Sequence, residues 1–508
     1  NSQDAIDAAG AGDVIVVSDG TYNNGGRIVY GAMTNRVVAD KAVTIQSLNG
    51  AAATLIAGTR NANVPPTGIR CVYLTNGASL IGFTLTNGAT RGTGDVVREQ
   101  SGGGVWCADS SVTVANCAFA GNAAALYGGG AFQGVLFNCT FTNNSASYGG
   151  GAASNTVCNG TFTRNSSVYQ NFNYGGGAYG CVLSNCLITG NQAVAGGGLG
   201  GGAAFSSLTS CVVSNNSAAS GGGLYVGNAY GSLISSNRAT GGGGGGATSN
   251  VLINCVIRNN FATGNGAGAY KSTLLNATVI SNTSSISGGG VWGGGLSNCI
   301  VYYNTGSSSP NAIDCTMTYC DTISSVTGLG NITNEPVFVN LAGGDLHLQT
   351  NSPCINAGNN ASAVNMTDYD GNPRIAGGTV DVGAYEYQSP SSLLSYAWAQ
   401  QYGLSIDGAV DNLDSDGDGL SNWQEWKAGT IPTNAASALK LASPSNSIAG
   451  MKVTWQSVTN VTYYLQSATN LAAFISIQSN IAGKIGTTSY IDTTATNGGP
   501  WFYRVGVQ

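Results

Sequence analysis

Apolar and polar residues alternate at period two along most of this chain, in runs of only a few residues broken by glycine and asparagine. In Cys139-Thr140-Phe141-Thr142 the pattern places Cys139 and Phe141 inward and Thr140 and Thr142 outward, as on a half-buried strand. The run ends on asparagine and recurs as CAFAGN at 117–122, CTFTNN at 139–144, CLITGN at 186–191, CVVSNN at 211–216, CVIRNN at 255–260 and CIVYYN at 299–304. Weaker copies are GFTLTN at 82–87, GTFTRN at 160–165, SLISSN at 232–237 and ATVISN at 277–282. From Asn122 to Asn304 the final asparagines are separated by 22, 21, 26, 25, 21, 23, 22 and 22 residues. A second series keeps the same period: triple-glycine segments open at Gly102, Gly128, Gly149, Gly175, Gly196, Gly221 and Gly288, with looser versions near Gly244 and Gly266.

Two motifs in fixed phase mean one supersecondary unit per repeat, too short for a core of its own and therefore stacked on its neighbours. Strand periodicity, with breaks every few residues, excludes helical repeats. The pattern predicts a parallel β-helix whose coils repeat at roughly 4.8 Å. Stacking then converts each sequence column into a ladder: side-chain amides at one corner, where asparagine also tolerates a left-handed turn, and thiols in the core. Residues 2–10 read as a short amphipathic helix with Ser2 as N-cap and Gly10 as stop, covering the open sheet edge before a first strand at Asp13–Val17.

Composition sharpens this picture. The chain of 508 residues holds 78 glycines and only 8% charged residues, while 42% are hydrophobic. That balance argues against disorder and suggests a rigid extracellular scaffold. A net charge of −6 leaves no footprint for nucleic acid, and no apolar run is long enough to span a bilayer. The chain starts at Asn1 without a leader, as expected if a signal peptide has been removed. Thirteen cysteines is an odd number, and their spacing points to core stacking rather than to a disulfide framework.

With these repeats, residues 1–340 resemble the pectate-lyase-like superfamily of right-handed parallel β-helices, particularly its glycine-rich bacterial surface and secreted members. The stretches Asp345-Leu346-His347-Leu348, 352–358 (SPCINAG), 370–374 (DGNPR) and 381–386 (DVGAYE) are similar to the choice-of-anchor Q module of bacterial surface proteins, which implies export but no reaction. The expected organisation is a β-helix over 1–388, with a cap at 1–12 and anchor-like coils at 335–388. A helical linker follows at 389–437, and an antiparallel β-sandwich at 438–508 resembles a fibronectin type III or immunoglobulin-like module. The fold class is all-β.

Many β-helices of the superfamily cleave acidic polysaccharides, using carboxylates with an arginine or lysine base, or carboxylate pairs. Between Ser101 and Pro310 this chain has one acid, Asp109, and four bases, Arg164, Arg238, Arg258 and Lys271, so no carboxylate pair can form there. On that count the wall is expected to be non-catalytic. Asp95, Arg98 and Glu99 in an insertion at 88–100 read as a solvated loop with a local ion pair. His347 reads as structural, and Arg374, Asp381 and Glu386 as an ion-pair network closing the helix.

The fifth position of each glycine motif carries Trp106, Phe132, Ala153, Tyr179, Gly200, Tyr225, Thr248, Tyr270 and Trp292. The preceding residue is small or aliphatic, for example Val105, Ala131 and Leu199. If the small residues point inward, Trp106, Phe132, Tyr179, Tyr225, Tyr270 and Trp292 form an outer stripe suited to stacking on sugars or docking a second copy. The alternative is that the rings fill the core.

The linker holds the most specific motif. Residues 414–425 match D-x-D-x-D-G-x5-E throughout, an EF-hand-like calcium loop. Asp414, Asp416 and Asp418 converge on one centre, Gly419 permits the turn, Leu420 offers its carbonyl, and Asn422 and Glu425 complete an oxygen shell for Ca²⁺. One loop rather than a pair, flanked by short helices, is similar to thrombospondin type 3 or dockerin-like segments linking domains of secreted proteins. The chain ends at Gln508 without an apolar anchor, so attachment is expected to be non-covalent or through the sandwich.

The function expected from the sequence is an exported, calcium-stabilised, non-catalytic structural or adhesive cell-surface protein, self-assembling as a homo-oligomer or filament. The second reading is a carbohydrate-binding or polysaccharide-cleaving β-helix with a glycan partner.

Overall fold

A computed structural model describes every residue except 1, 62–67, 169–172, 195–196, 324–326, 365–366 and 496–498. It divides into two compact units. The first comprises 1–333 with 361–374 and 382–385, and the second 334–360, 375–381 and 386–508. The chain is nearly all β-structure.

The first unit is a right-handed parallel β-helix. Among the described residues its strands form sheets of 22, 12 and seven strands. In the 12-stranded sheet, three-residue strands such as Thr140–Thr142, Thr161–Thr163 and Leu187–Thr189 stack in register, so alternation along one strand becomes continuous ranks across the coils. Phe119, Phe141 and Phe162 stack with centroids 4.8 and 4.5 Å apart, and the rank continues through Ile188, Val213, Ile234 and Ile257, all fully buried. Beside it lie the thiols of Cys117, Cys139, Cys186, Cys211, Cys255 and Cys299, all buried and none in a disulfide.

The asparagine corner is a continuous hydrogen-bonded ladder. Asn144 Nδ2 donates to Asn165 Oδ1 at 2.9 Å, Asn165 to Asn191 at 2.9 Å, and Asn191 to Asn216 at 3.0 Å, and the chain of amides runs from Asn122 to Asn311. The left-handed turn is not at the ladder residue but one position earlier: Asn143, Arg164, Asn215 and Asn259 have φ of 55–56°. The ladder asparagine is selected for its buried amide and its predecessor for its backbone.

Helix α1 (Ser2–Ala8) covers the first coil with Ile6 in the core. Its Gln3 amide pairs both ways with the Val38 backbone at 2.9 Å, which satisfies an otherwise open edge. The Ser2 side chain, expected as N-cap, lies outside the described residues.

The second unit contains an antiparallel pair, Phe338–Asn340 with Asp345–Leu348, then α2 (Tyr396–Gln401) and α3 (Asn422–Ala428). Two antiparallel three-stranded sheets follow, at 445–457 with 486–492 and at 462–482 with 502–507, enclosing Val453, Trp455, Tyr463 and Leu465. Among the described residues no helix is long and apolar enough to cross a membrane.

Candidate functional site

Each coil turns sharply at its glycine triplet. The first glycine is left-handed throughout, with φ between 59 and 71° from Gly102 to Gly288, and a Cβ on Gly128 would lie 2.0 Å from the Ala131 carbonyl oxygen. One frame assignment is corrected by the register. Ala178 pairs with Ala203 and Tyr179 with Ala204, so this coil's left-handed glycine is Gly200, its inward residue Ala203 and its fifth position Ala204. Gly196 lies outside the described residues.

The residue before the fifth position enters the core: Val105, Ala131, Ala152, Ala178, Leu224, Ala269 and Val291 are buried there. Alternation then sends the fifth residue outside. Trp106, Phe132, Tyr179, Tyr225, Tyr270 and Trp292 all lie apart from that core, but their surroundings differ. Trp106 and Phe132 are each only 5% exposed. Insertion 88–100 leans over Trp106, whose indole Nε1 donates to the Val97 carbonyl at 2.8 Å. Buried Arg70 holds the insertion down, donating to the carbonyls of Arg98, Ser101 and Gly102 and to Asn35 Oδ1. Glu99 accepts the backbone N–H groups of Ala32 and Asp95, which lower its pKa, and pairs with Arg91 at 3.3 Å.

Sequence reasoning missed a second aromatic row. Tyr127, Tyr148 and Tyr174 immediately precede their glycine triplets, and their rings stack at 5.2 and 5.7 Å. Residues on the two sides of the glycine bend meet: Tyr127 lies 6.0 Å from Phe132, and Tyr148 5.3 Å from Tyr179. Phe205 joins Tyr174, Tyr179 and Tyr225 edge-on at 5.4–5.8 Å, itself 44% exposed. Its φ of 52° and the 47° of Val226 are unusual for bulky residues, but the equivalent position is left-handed in each coil, as at Gln133, Ser154, Ser249 and Lys271. The outcome is one continuous patch from Tyr127 to Tyr225 made of aromatic rings and phenol hydroxyls, with no charged member. Desolvation raises the Tyr148, Tyr179 and Tyr225 phenols above their ordinary pKa. Tyr270 and Trp292 form a separate stack at 4.9 Å.

In the second unit the acidic loop gathers its donors. Ligand oxygens of Asp414, Asp416 and Asp418 lie within 4.8 Å of one another. Asp414 is oriented by the N–H groups of Gly417 and Gly419, both at 2.8 Å, and these hold its pKa down. Ser421 and Gln424 form a capping box at the start of α3, which fixes Asn422 and Glu425 on its first turn. Glu425 is fully buried, and one oxygen each of Glu425, Asp416, Asp418 and Asn422 is buried without a hydrogen-bond partner. Burial and the neighbouring Asp416 and Asp418 push the Glu425 carboxyl up to about 7. Unsatisfied, mutually repelling oxygens converging on one point fit a hard divalent cation. Leu420 is held in the loop by its N–H to Asp418 at 2.8 Å.

The remaining candidate residues make local contacts. His347 Nδ1 lies 2.6 Å from Asp345. Asp381 and Glu386 accept backbone N–H groups, Asp381 from Asn356 and Tyr387, Glu386 from Ala376 and Asp381. Buried Arg374 donates to the Gly383 carbonyl at 2.6 Å.

No family model matches the chain, and no curated protein matches it in sequence. Several solved structures share its fold. The pectate lyase Pel9A is 15% identical over 75% of this chain and 90% of its own, with a TM-score of 0.32. A PL6 family alginate lyase, AlyGC, is 10% identical over 68% of this chain and 54% of its own, at 0.35. The A-module of the mannuronan C-5 epimerase AlgE4 of Azotobacter vinelandii is 13% identical over 66% and 92%, at 0.32. The expectation that the chain is not an enzyme is corrected: structures that share this fold include polysaccharide lyases, so the fold gives no ground for excluding an enzyme. The charge count along the wall also stopped short of Asp314, four residues beyond the counted stretch, which stacks in the same column as Lys271. What the chain shares with these proteins is the right-handed parallel β-helix fold.

Proposed function

We propose that this chain is an exported carbohydrate-active β-helix that takes a polysaccharide strand along the aromatic face between Tyr127 and Tyr225. The observation that carries the reading is that patch: rings on both sides of the glycine bend, partly exposed, with no charge among them. Apolar sugar faces stack on such rings, and phenol hydroxyls supply the hydrogen bonds that orient them. The anchor-like stretch at 335–388 and the sandwich are its attachment parts. A calcium ion in the 414–425 loop, on Asp414, Asp416, Asp418, Asn422, Glu425 and the Leu420 carbonyl, fixes the linker, supported by the unsatisfied buried oxygens there.

The test is a polysaccharide panel, scored for retention and for cleavage. New reducing ends mark hydrolysis, and unsaturated ends mark elimination. Tyr148→Ala and Tyr179→Ala should each weaken retention at least about tenfold, the loss of one good ring contact. Unchanged retention in both variants would sink the assignment of this face.

A further inference from the structure

The coils that carry the aromatic face are almost free of charge. From Ser110 to Asn237 the chain has a single charged residue, Arg164. Arg164 stands at the asparagine corner, left-handed like Asn143 and Asn215 of the same motif, and is not part of the patch. Tyr179 is the hub of the face, with ring contacts to Tyr127, Tyr148, Tyr174 and Phe205. Among the described residues, the hydroxyls of Tyr127, Tyr148, Tyr174, Tyr179 and Tyr225 have no hydrogen-bond partner within the protein. Beside the rings, Ser154 is exposed, and Thr156, Val182, Ser207 and Asn228 share the next outward column. The polar groups on offer are thus hydroxyls and an amide. Charges at the two ends are engaged elsewhere. Arg91 pairs with Glu99, Asp95 accepts the N–H groups of Val97 and Arg98, and Arg98 lies over the Tyr30 ring at 4.5 Å. The Lys271 ammonium lies over the Tyr270 and Trp292 rings, 5.4 and 5.7 Å from their centroids.

We propose that the face from Tyr127 to Tyr225 selects an uncharged polysaccharide, one without uronate, sulfate or free amine groups. This rests on the reading of that face as the glycan site and names its substrate class. Desolvation makes the choice. A carboxylate set among these rings sheds water and finds no guanidinium or ammonium to pair with, and no protein carboxylates to hold a bridging cation. A free amine finds no carboxylate. The covering that raises the Tyr148, Tyr179 and Tyr225 phenols acts equally against any ionised group placed beside them. A sugar hydroxyl is both donor and acceptor, and so matches the phenol and seryl hydroxyls without that cost. A neutral sugar also lacks the carboxylate that acidifies the proton lost in elimination, so any chain ends produced from it are saturated.

The experiment measures binding of hexasaccharides carrying an uncharged fluorophore to the full chain. Cello-, malto-, xylo- and N-acetylated chito-oligomers are set against oligogalacturonate and oligomannuronate. At least one neutral oligomer should bind at least tenfold more tightly than either uronate, with an affinity that holds from about 0.1 to 1 M salt. Tyr148→Phe and Tyr179→Phe keep the rings and remove one hydroxyl each. They should keep the melting temperature and weaken neutral binding at least about threefold, the loss of one neutral hydrogen bond. Ser154→Lys adds a cation at a left-handed position equivalent to that of Lys271, φ 58 and 50°, so the backbone accepts it. It should raise uronate affinity at least threefold and make that binding salt-dependent. A uronate preferred by the unmodified chain and lost in Tyr179→Ala, or unsaturated ends on the product, overturns the neutral assignment and leaves the aromatic face standing. Neutral binding that is unchanged in Tyr148→Ala and Tyr179→Ala overturns the face. Failure of every oligomer to bind overturns both.

Discussion

Asn191 shows how one side chain is committed in this fold. Its Oδ1 accepts from both the backbone and amide N–H groups of Asn165, and its Nδ2 donates to Asn216 and to the Phe162 carbonyl, all in a dry interior. Asn191→Ala therefore strands donors and acceptors on both neighbouring coils, at about 1–3 kcal/mol for each group left unsatisfied. Denaturant unfolding of the β-helix should show a loss several times that of a surface Asn→Ala. The core thiols give a pH dependence of definite sign. Burial pushes Cys71, Cys181 and Cys255 up to about 12 and Cys117 to about 11, from an ordinary 9.0. A raised thiol pKa favours the fold below 9, and the benefit is lost as pH rises, because the unfolded chain ionises first. Melting temperature should fall between pH 9 and 11 and be flat from 6 to 8. At pH 8 the buried thiols of the folded protein should resist reagents that titrate the denatured chain, whereas Cys158 and Cys315 are only partly covered. At Phe205 stability and use are opposed: Phe205→Asn relieves a strained backbone, so we expect an equal or higher melting temperature together with weaker glycan retention.

At the scale of elements, insertion 88–100 is an end wall held by one buried guanidinium. Burial pulls Arg70 down to about 9, and three carbonyls and an amide oxygen accept its N–H groups. Arg70→Met should leave the coils intact yet release the insertion, seen as faster tryptic cleavage after Arg91 and Arg98 and a solvent-exposed Trp106. Equal cleavage rates would mean that the Glu99 and Trp106 contacts hold the insertion without Arg70. The coils themselves were legible in the sequence because each carries the whole period: one thiol or small residue, one inward apolar residue, one asparagine. Legibility stopped where the information is two-dimensional. Tyr127, Tyr148 and Tyr174 each stand before a glycine triplet, but only stacking makes them a surface. The coil around Gly200 was misframed because a second glycine run precedes the one that turns. Lys271 and Asp314 look unrelated along the chain and share a column only through the stacking of coils. The acidic loop is the opposite case, since all of its donors lie within one local motif.

For the whole molecule, the two units have cores of different construction, one a stack of ranks and the other a small sandwich with its linker, and should unfold separately. Only the second contains the acidic loop. In chelator its carboxylates repel one another and Glu425 is buried without compensation, so the native state gains strongly from any cation that the unfolded chain cannot grip. Calcium at a hundredfold excess over its Kd should stabilise the second unit by about 2.7 kcal/mol, an upward shift of about 5–10 °C in its transition. The β-helix transition should not move. Calorimetry of the full chain with calcium and with chelator checks both halves at once. Asp416→Asn should abolish the shift, because it removes a ligand charge without disturbing the fold of the loop. A calcium shift in the β-helix transition instead would place a cation on the wall, and no shift in either would remove calcium from the linker.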